Sequence, residues 1–178
     1  MKIKGIIFED FVNYKVPSMF ISFPSCTFKC DRECGHAVCQ NSSLVRQPDI
    51  YVDKNEIIEK YLSNPLTEAI VLGGLEPFDS DLDLLPFIDT LRRQYKCDDT
   101  VVIYTGYTEE ELNEGEFGIG NSEQQRRYWN AIKQLPNIVV KFGRFIPGQD
   151  SHFDEVLGVN LASPNQYAKV VSEKKENE

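Results

Sequence analysis

The chain has 178 residues, with 19 Lys and Arg against 28 Asp and Glu and a formal net charge of -9. That length suits one domain with a single substantial core, and the acidic balance argues against binding along a phosphate backbone. No apolar run approaches the roughly 20 residues of a membrane span.

The opening segment "MKIKGIIFEDF" reaches acidic residues too early for a secretory signal, so a soluble, cytoplasmic protein is expected. The first run that reads as a buried strand is "SMFISFP", Ser18 to Pro24. A cluster of cysteines follows it. Asp53 then offers a helix cap, with Glu56 three residues on as a capping box, and Ile57, Ile58, Tyr61 and Leu62 share one face. "AIVLGG" (Ala69 to Gly74) is the second strand, ending in "GGLEP". Leu84, Leu85, Ile88 and Leu91 give the next helix its stripe, and Arg92 and Arg93 suit the dipole at its end. "TVVIYTG" (Thr100 to Gly106) is the third strand. "NEGEFGIGN" (Asn113 to Asn121) lacks the Lys of a phosphate-binding loop and reads as a connector. Ser122 with Gln125 caps a helix carrying Trp129, Ile132 and Leu135, and "NIVVKFG" (Asn137 to Gly143) is the fourth strand. One domain over residues 1–170 and a polar, frayed tail over 171–178 complete the reading.

Strands alternating with helices predict an α/β fold with a parallel sheet, whose carboxyl ends form the usual site for function. The cysteine run, "GGLEP" and "YTGYT" would then share one rim.

Four of the five cysteines, Cys26, Cys30, Cys34 and Cys39, fall within fourteen positions. In a reducing compartment such a cluster points to metal or redox chemistry rather than to disulfides. Four thiolates can close a zinc site, although two spaced pairs would be the usual arrangement. Alternatively, three thiolates can hold a [4Fe-4S] cluster and leave one iron open to an exogenous ligand. Cys97, alone in "QYKCDD", reads as a free thiol, His36 as a loop residue and His152 as a surface histidine. Lys29 and Arg32 read as solvated charges beside the thiolates.

The cysteine run resembles the signature of the radical S-adenosylmethionine superfamily. Cys26, Phe28 and Cys30 match its first half, whereas Glu33 stands where the third cysteine is due. Cys34 comes one residue late. Cys39, followed by Gln40 and Asn41, looks like the end of the signature after an insertion. Cys26, Cys30 and Cys39 are therefore the expected ligands, with Cys34 as the alternative third. "GIIFEDFVN", "GGLEP", "VVIYTGYTEEEL", "VVKFGRFI" and "SPNQ", in this order, are similar to segments of the anaerobic ribonucleoside-triphosphate reductase activating proteins, over about Gly5 to Gln166.

The resemblance implies an oxidoreductase carrying a [4Fe-4S] cluster. It would reductively cleave S-adenosylmethionine to a 5'-deoxyadenosyl radical and generate a glycyl radical on an anaerobic ribonucleotide reductase, with a flavodoxin or ferredoxin as electron donor. It further implies that Gly73, Gly74 and Glu76 bind the methionine end of the cofactor, although Leu75 interrupts the family's Gly-Gly-Glu order, and that Tyr104, Thr105, Gly106 and Asn41 line the same site. Gly73 and Gly74 equally suit a strand end. Since a full (β/α)8 barrel takes about 250 residues, the expected fold is a partial, open parallel β/α barrel of the radical S-adenosylmethionine type. Two other readings stand beside this one: a radical enzyme of the same scaffold acting on a small molecule or another polypeptide, and a non-catalytic zinc-binding interaction module.

Overall fold

The structure, a computed structural model, describes residues 1–118 and 120–173. Ile119 of the expected connector and residues 174–178 of the expected tail lie outside the described residues. In chain order the elements are β1 (Lys2–Ile3), β2 (Gly5–Asp10), β3 (Ser18–Phe23), α1 (Lys29–Cys34), β4 (Ile50–Tyr51), α2 (Lys54–Ser63), β5 (Ala69–Gly74), α3 (Asp81–Arg93), β6 (Thr100–Tyr104), α4 (Glu109–Glu114), α5 (Ser122–Lys133), β7 (Ile138–Phe142), β8 (His152–Asp154), β9 (Val159–Leu161) and β10 (Tyr167–Ser172).

The main sheet has six strands in the order β10-β7-β6-β5-β3-β2. The central four, β3, β5, β6 and β7, are parallel and lie side by side in chain order, as successive strand–helix–strand units require. β2 and β10 flank them antiparallel. The sheet is therefore mixed, and among the described residues it does not close into a barrel. β10 runs through Val171 and Ser172, the first residues of the expected tail. Ser172 is tied down there, accepting the Ile138 N–H at 3.1 Å and donating to the Leu135 carbonyl at 2.5 Å.

Strand periodicity sorts side chains to the two faces. Ile21, Leu72, Ile103 and Val140 pair in register across the parallel strands, and all four are fully buried under Ile57 and Ile58 of α2, Leu84, Phe87 and Leu91 of α3, and Trp129 and Ile132 of α5. Full burial of such a side chain is worth about 1.5–3 kcal/mol. The row one residue earlier, Phe20, Val71, Val102 and Val139, faces the other way and meets Tyr14, Leu157 and Leu161 from the 11–17 loop and the β8–β9 hairpin. Both faces are covered, which explains the unbroken apolar runs of these strands.

Asp53 caps α2 by accepting the Asn55 N–H. The expected Ser122 cap moves back by one: Asn121 accepts the Gln124 N–H at 2.9 Å, and Ser122 is the first residue of α5. Among the described residues no helix is long and apolar enough to cross a membrane.

Candidate functional site

The next residues along the second face are Ser22 and Gly73, paired in register, and Tyr104 and Lys141, likewise paired. They lie where the parallel strands end, beside a cavity of about 450 Å³. The cavity wall includes Cys26, Cys30, Cys39 and Asn41 from the loop after β3, Gly74 and Glu76 from the end of β5, and Tyr104, Thr105 and Gly106 from the end of β6. The three segments thus meet at one place. Gly73 stands just behind the wall, where a Cβ would come within 3.1 Å of the Phe20 ring and 3.4 Å of the Tyr104 Cβ. Cys34 is not part of the wall.

Backbone contacts stitch the cysteine loop to the strand ends. Leu75 N–H donates to Phe23 O at 3.2 Å, and Glu76 N–H donates to Ser25 O at 2.7 Å. Asn41 Nδ2 donates to Gly74 O at 2.6 Å, so the residue expected to line the site also pins the far end of the loop. Asp79 accepts the Thr27 N–H at 2.5 Å on one oxygen and the Tyr107 hydroxyl at 2.6 Å on the other. α1 starts from Phe28, held at φ 53°, and ends at Gly35, at φ 71°.

Burial pushes the Cys26 thiol up to about 12. Cys30 is pushed up to about 11, by burial first and then by the proximity of Cys39, with which it shares a side-chain hydrogen bond. Cys39 acts on both thiols. Among the described residues no three His, Cys, Asp or Glu side chains converge on a single metal position. Cys26, Cys30 and Cys39 share one wall of the cavity, and Cys34 stands outside it. Three thiols on one wall match the donor set of a [4Fe-4S] cluster, whose thiolates each bind a different iron, whereas a closed zinc site takes four ligands.

Glu76 is 5 % exposed, and burial pushes its carboxyl up to about 8. It accepts from Phe78 N–H (3.1 Å), the Thr105 hydroxyl (2.8 Å) and Gly106 N–H (2.8 Å), which joins the ends of β5 and β6. Thr105 in turn accepts the Tyr107 N–H.

Lys141 was not singled out by the sequence reading. It is 7 % exposed, lines the cavity, and donates to the Gly143 carbonyl at 2.7 Å. Burial lowers its ammonium to about 8, opposed by Glu76. The signal was a lysine inside a strand expected to be buried on both faces. Arg144 was missed as well. It pairs with Glu111 and, at 3.4 Å, with Glu33 of α1. Lys29, expected to be solvated, also pairs with Glu111, and it and Arg144 both lie over the Tyr107 ring. Arg32 donates to Thr27 O. His36 is exposed, in keeping with a loop residue, and Cys97 is buried. His152, expected at the surface, is half-buried in β8, and its Nδ1 has no hydrogen-bond partner.

A family model described as a 4Fe-4S single cluster domain matches residues 17–148, a stretch that holds all five cysteines. No curated protein and no solved structure gives a significant match.

Proposed function

From the premise that the chain belongs to the 4Fe-4S single cluster domain family, we propose that it is a radical S-adenosylmethionine enzyme of the glycyl-radical-activating type, acting on an anaerobic ribonucleotide reductase. One observation carries this reading: the cavity at the strand ends brings Cys26, Cys30 and Cys39 onto the same wall as Gly74, Glu76 and Gly106. Three thiolates would hold the cluster and leave one iron without a protein ligand. When bound, the cluster would supply the electron that cleaves S-adenosylmethionine to a 5'-deoxyadenosyl radical, which takes a hydrogen atom from a glycine of the partner.

The chain's own residues have defined tasks in this scheme. Glu76, which burial keeps protonated below about pH 8 in the cofactor-free protein, would give up that proton to pair with an ammonium donor of the cofactor; the ionised carboxylate then offers about four acceptor sites, three of them filled by the protein. Gly74 lets the end of β5 lie close against Ser22 and Phe23 at the end of β3. Lys141 has donors beyond the one given to Gly143 O and faces the same cavity, so it would hold a carboxylate. Phe20 and Tyr104 form an apolar floor that keeps water from the reacting end. The exposed side of the cavity leaves room for a loop of a large protein, and a flavodoxin or ferredoxin would deliver the electron.

The test uses anaerobically purified protein reconstituted with iron and sulfide, reduced and mixed with S-adenosylmethionine. Formation of 5'-deoxyadenosine is expected, and its loss in Cys26→Ala and Cys30→Ala. Zinc bound without acid-labile sulfide would replace this reading with that of an interaction module. Cofactor cleavage without radical transfer to a reductase would point to another polypeptide or a small molecule as substrate.

A further inference from the structure

The eight residues between Cys30 and Cys39 pose a geometric problem for a cluster site. Cys34 lies one helical turn beyond Cys30 on α1, and the chain then leaves the helix at Gly35, so nothing local obliges Cys39 to return. A carboxylate on the first turn of α1 reaches back to it. Asp31, the residue after Cys30, accepts the Val38 N–H at 2.8 Å and the Cys39 N–H at 2.9 Å on the same oxygen, and the Cys30 thiol lies 3.8 Å from that oxygen. The carboxylate therefore ties the backbone of Cys39 to the first turn of α1, across a loop whose intervening residues Gly35, His36 and Ala37 are exposed. Asn41 anchors the following residues to Gly74.

We propose that Asp31 is the positioning residue that closes this excursion and so makes Cys39, rather than Cys34, the third cluster ligand. This rests on the reading of Cys26, Cys30 and Cys39 as cluster ligands. The longer loop is tolerated because a single side chain takes over the work that short spacing performs elsewhere. Without the clamp, loop 35–38 is free to move and Cys34, carried on the helix next to Cys30, becomes the nearer thiol.

The experiment is alkylation of the anaerobic, cluster-loaded protein with a maleimide, mapped by peptide mass spectrometry, together with iron and sulfide content and the electron paramagnetic resonance spectrum of the reduced state. In the unmodified chain Cys34 is expected to be labelled and Cys39 protected. In Asp31→Ala, labelling of Cys39 should rise several-fold and protection should pass to Cys34, with a changed spectrum. The added change Cys34→Ala should then remove the residual iron from Asp31→Ala, while Cys34→Ala alone leaves iron content unchanged. Asp31→Asn, which keeps the shape but weakens the acceptor, should fall between the two and decides the matter if Asp31→Ala does not fold. Cys39 protected to the same degree in both Asp31 variants, with an unchanged spectrum, would overturn the role of Asp31 alone. Cys39 labelled and Cys34 protected in the unmodified chain would instead overturn the ligand reading on which it rests.

Discussion

At Gly74 the backbone holds φ at 86°, and an added Cβ would come within 2.8 Å of the Ser22 Cα. An L side chain in that conformation costs roughly 1–3 kcal/mol before any clash is counted. Gly74→Ala should lower the unfolding free energy of the metal-free protein, measured in urea, by at least that amount; an unchanged free energy would mean that the end of β5 can move away from Ser22 and Phe23 of β3. Glu76 and Lys141 make a second claim, on pH. With its carboxyl raised from 4.5 to about 8, folded Glu76 keeps a proton that the unfolded chain has released. Its contribution to stability is complete below pH 4.5 and is lost as pH rises through 8. The ammonium of Lys141, lowered from 10.5 to about 8, works in the opposite sense: stability is lost as pH falls through 8 and regained towards 10.5. In thermal melts, Glu76→Gln should therefore gain on the unmodified protein between pH 5 and 8, and Lys141→Met should lose ground between pH 8 and 10. A pH-independent difference for Glu76→Gln would show that the three hydrogen bonds keep this carboxyl ionised in spite of burial.

The four parallel strands were legible in the sequence because each is a Val- and Ile-rich run buried on both faces, and their ends came within a residue or two of the expected bounds. The flanking strands were less so. β2 alternates poorly, with Ile7, Phe8 and Glu9 all exposed at the sheet edge, and β10 has no fully buried residue, so neither carries a core pattern. α4 has only Leu112 buried, and its Thr108–Glu111 capping box is the one local sign of it. Cys26, Cys30, Cys39 and Glu76, picked out by their chemistry, lie together on the cavity wall. Asp31, Asp79 and Arg144 were not picked out, because their partners lie across loops that periodicity does not describe. α5 shows what supports the rim from behind. Trp129 is fully buried, packs edge-on against Phe78 and Phe142 at 5.7 and 6.3 Å, and donates to Asn113 Oδ1 at 2.9 Å. Phe78 sits two residues after Glu76, so Trp129→Ala should cost about 3–5 kcal/mol and also loosen the cavity wall. Urea unfolding gives the first effect, and faster labelling of Cys26 in the metal-free protein gives the second.

Among the described residues the sheet stays open, and the cavity at its strand ends has an exposed side. That side is bordered by the segment after β2, where Val12 lines the cavity and is 72 % exposed, and the neighbouring Phe11 is 64 % exposed. An aromatic side chain kept in water beside this cavity suits contact with another polypeptide better than enclosure of a small molecule. If the substrate is a loop of a large reductase, it should cross this edge. Phe11→Asp places a charge there without touching the cysteine loop, Glu76 or Lys141. The variant should keep its iron and sulfide and should form 5'-deoxyadenosine at the unmodified rate when no partner is present, while radical transfer to the reductase falls at least tenfold. The outcome separates two molecules with the same core: equal loss of both activities would make Phe11 a structural residue of the 11–17 loop, whereas full transfer would mean that the partner enters from the α1 side, where Arg144 lines the cavity and pairs with Glu33.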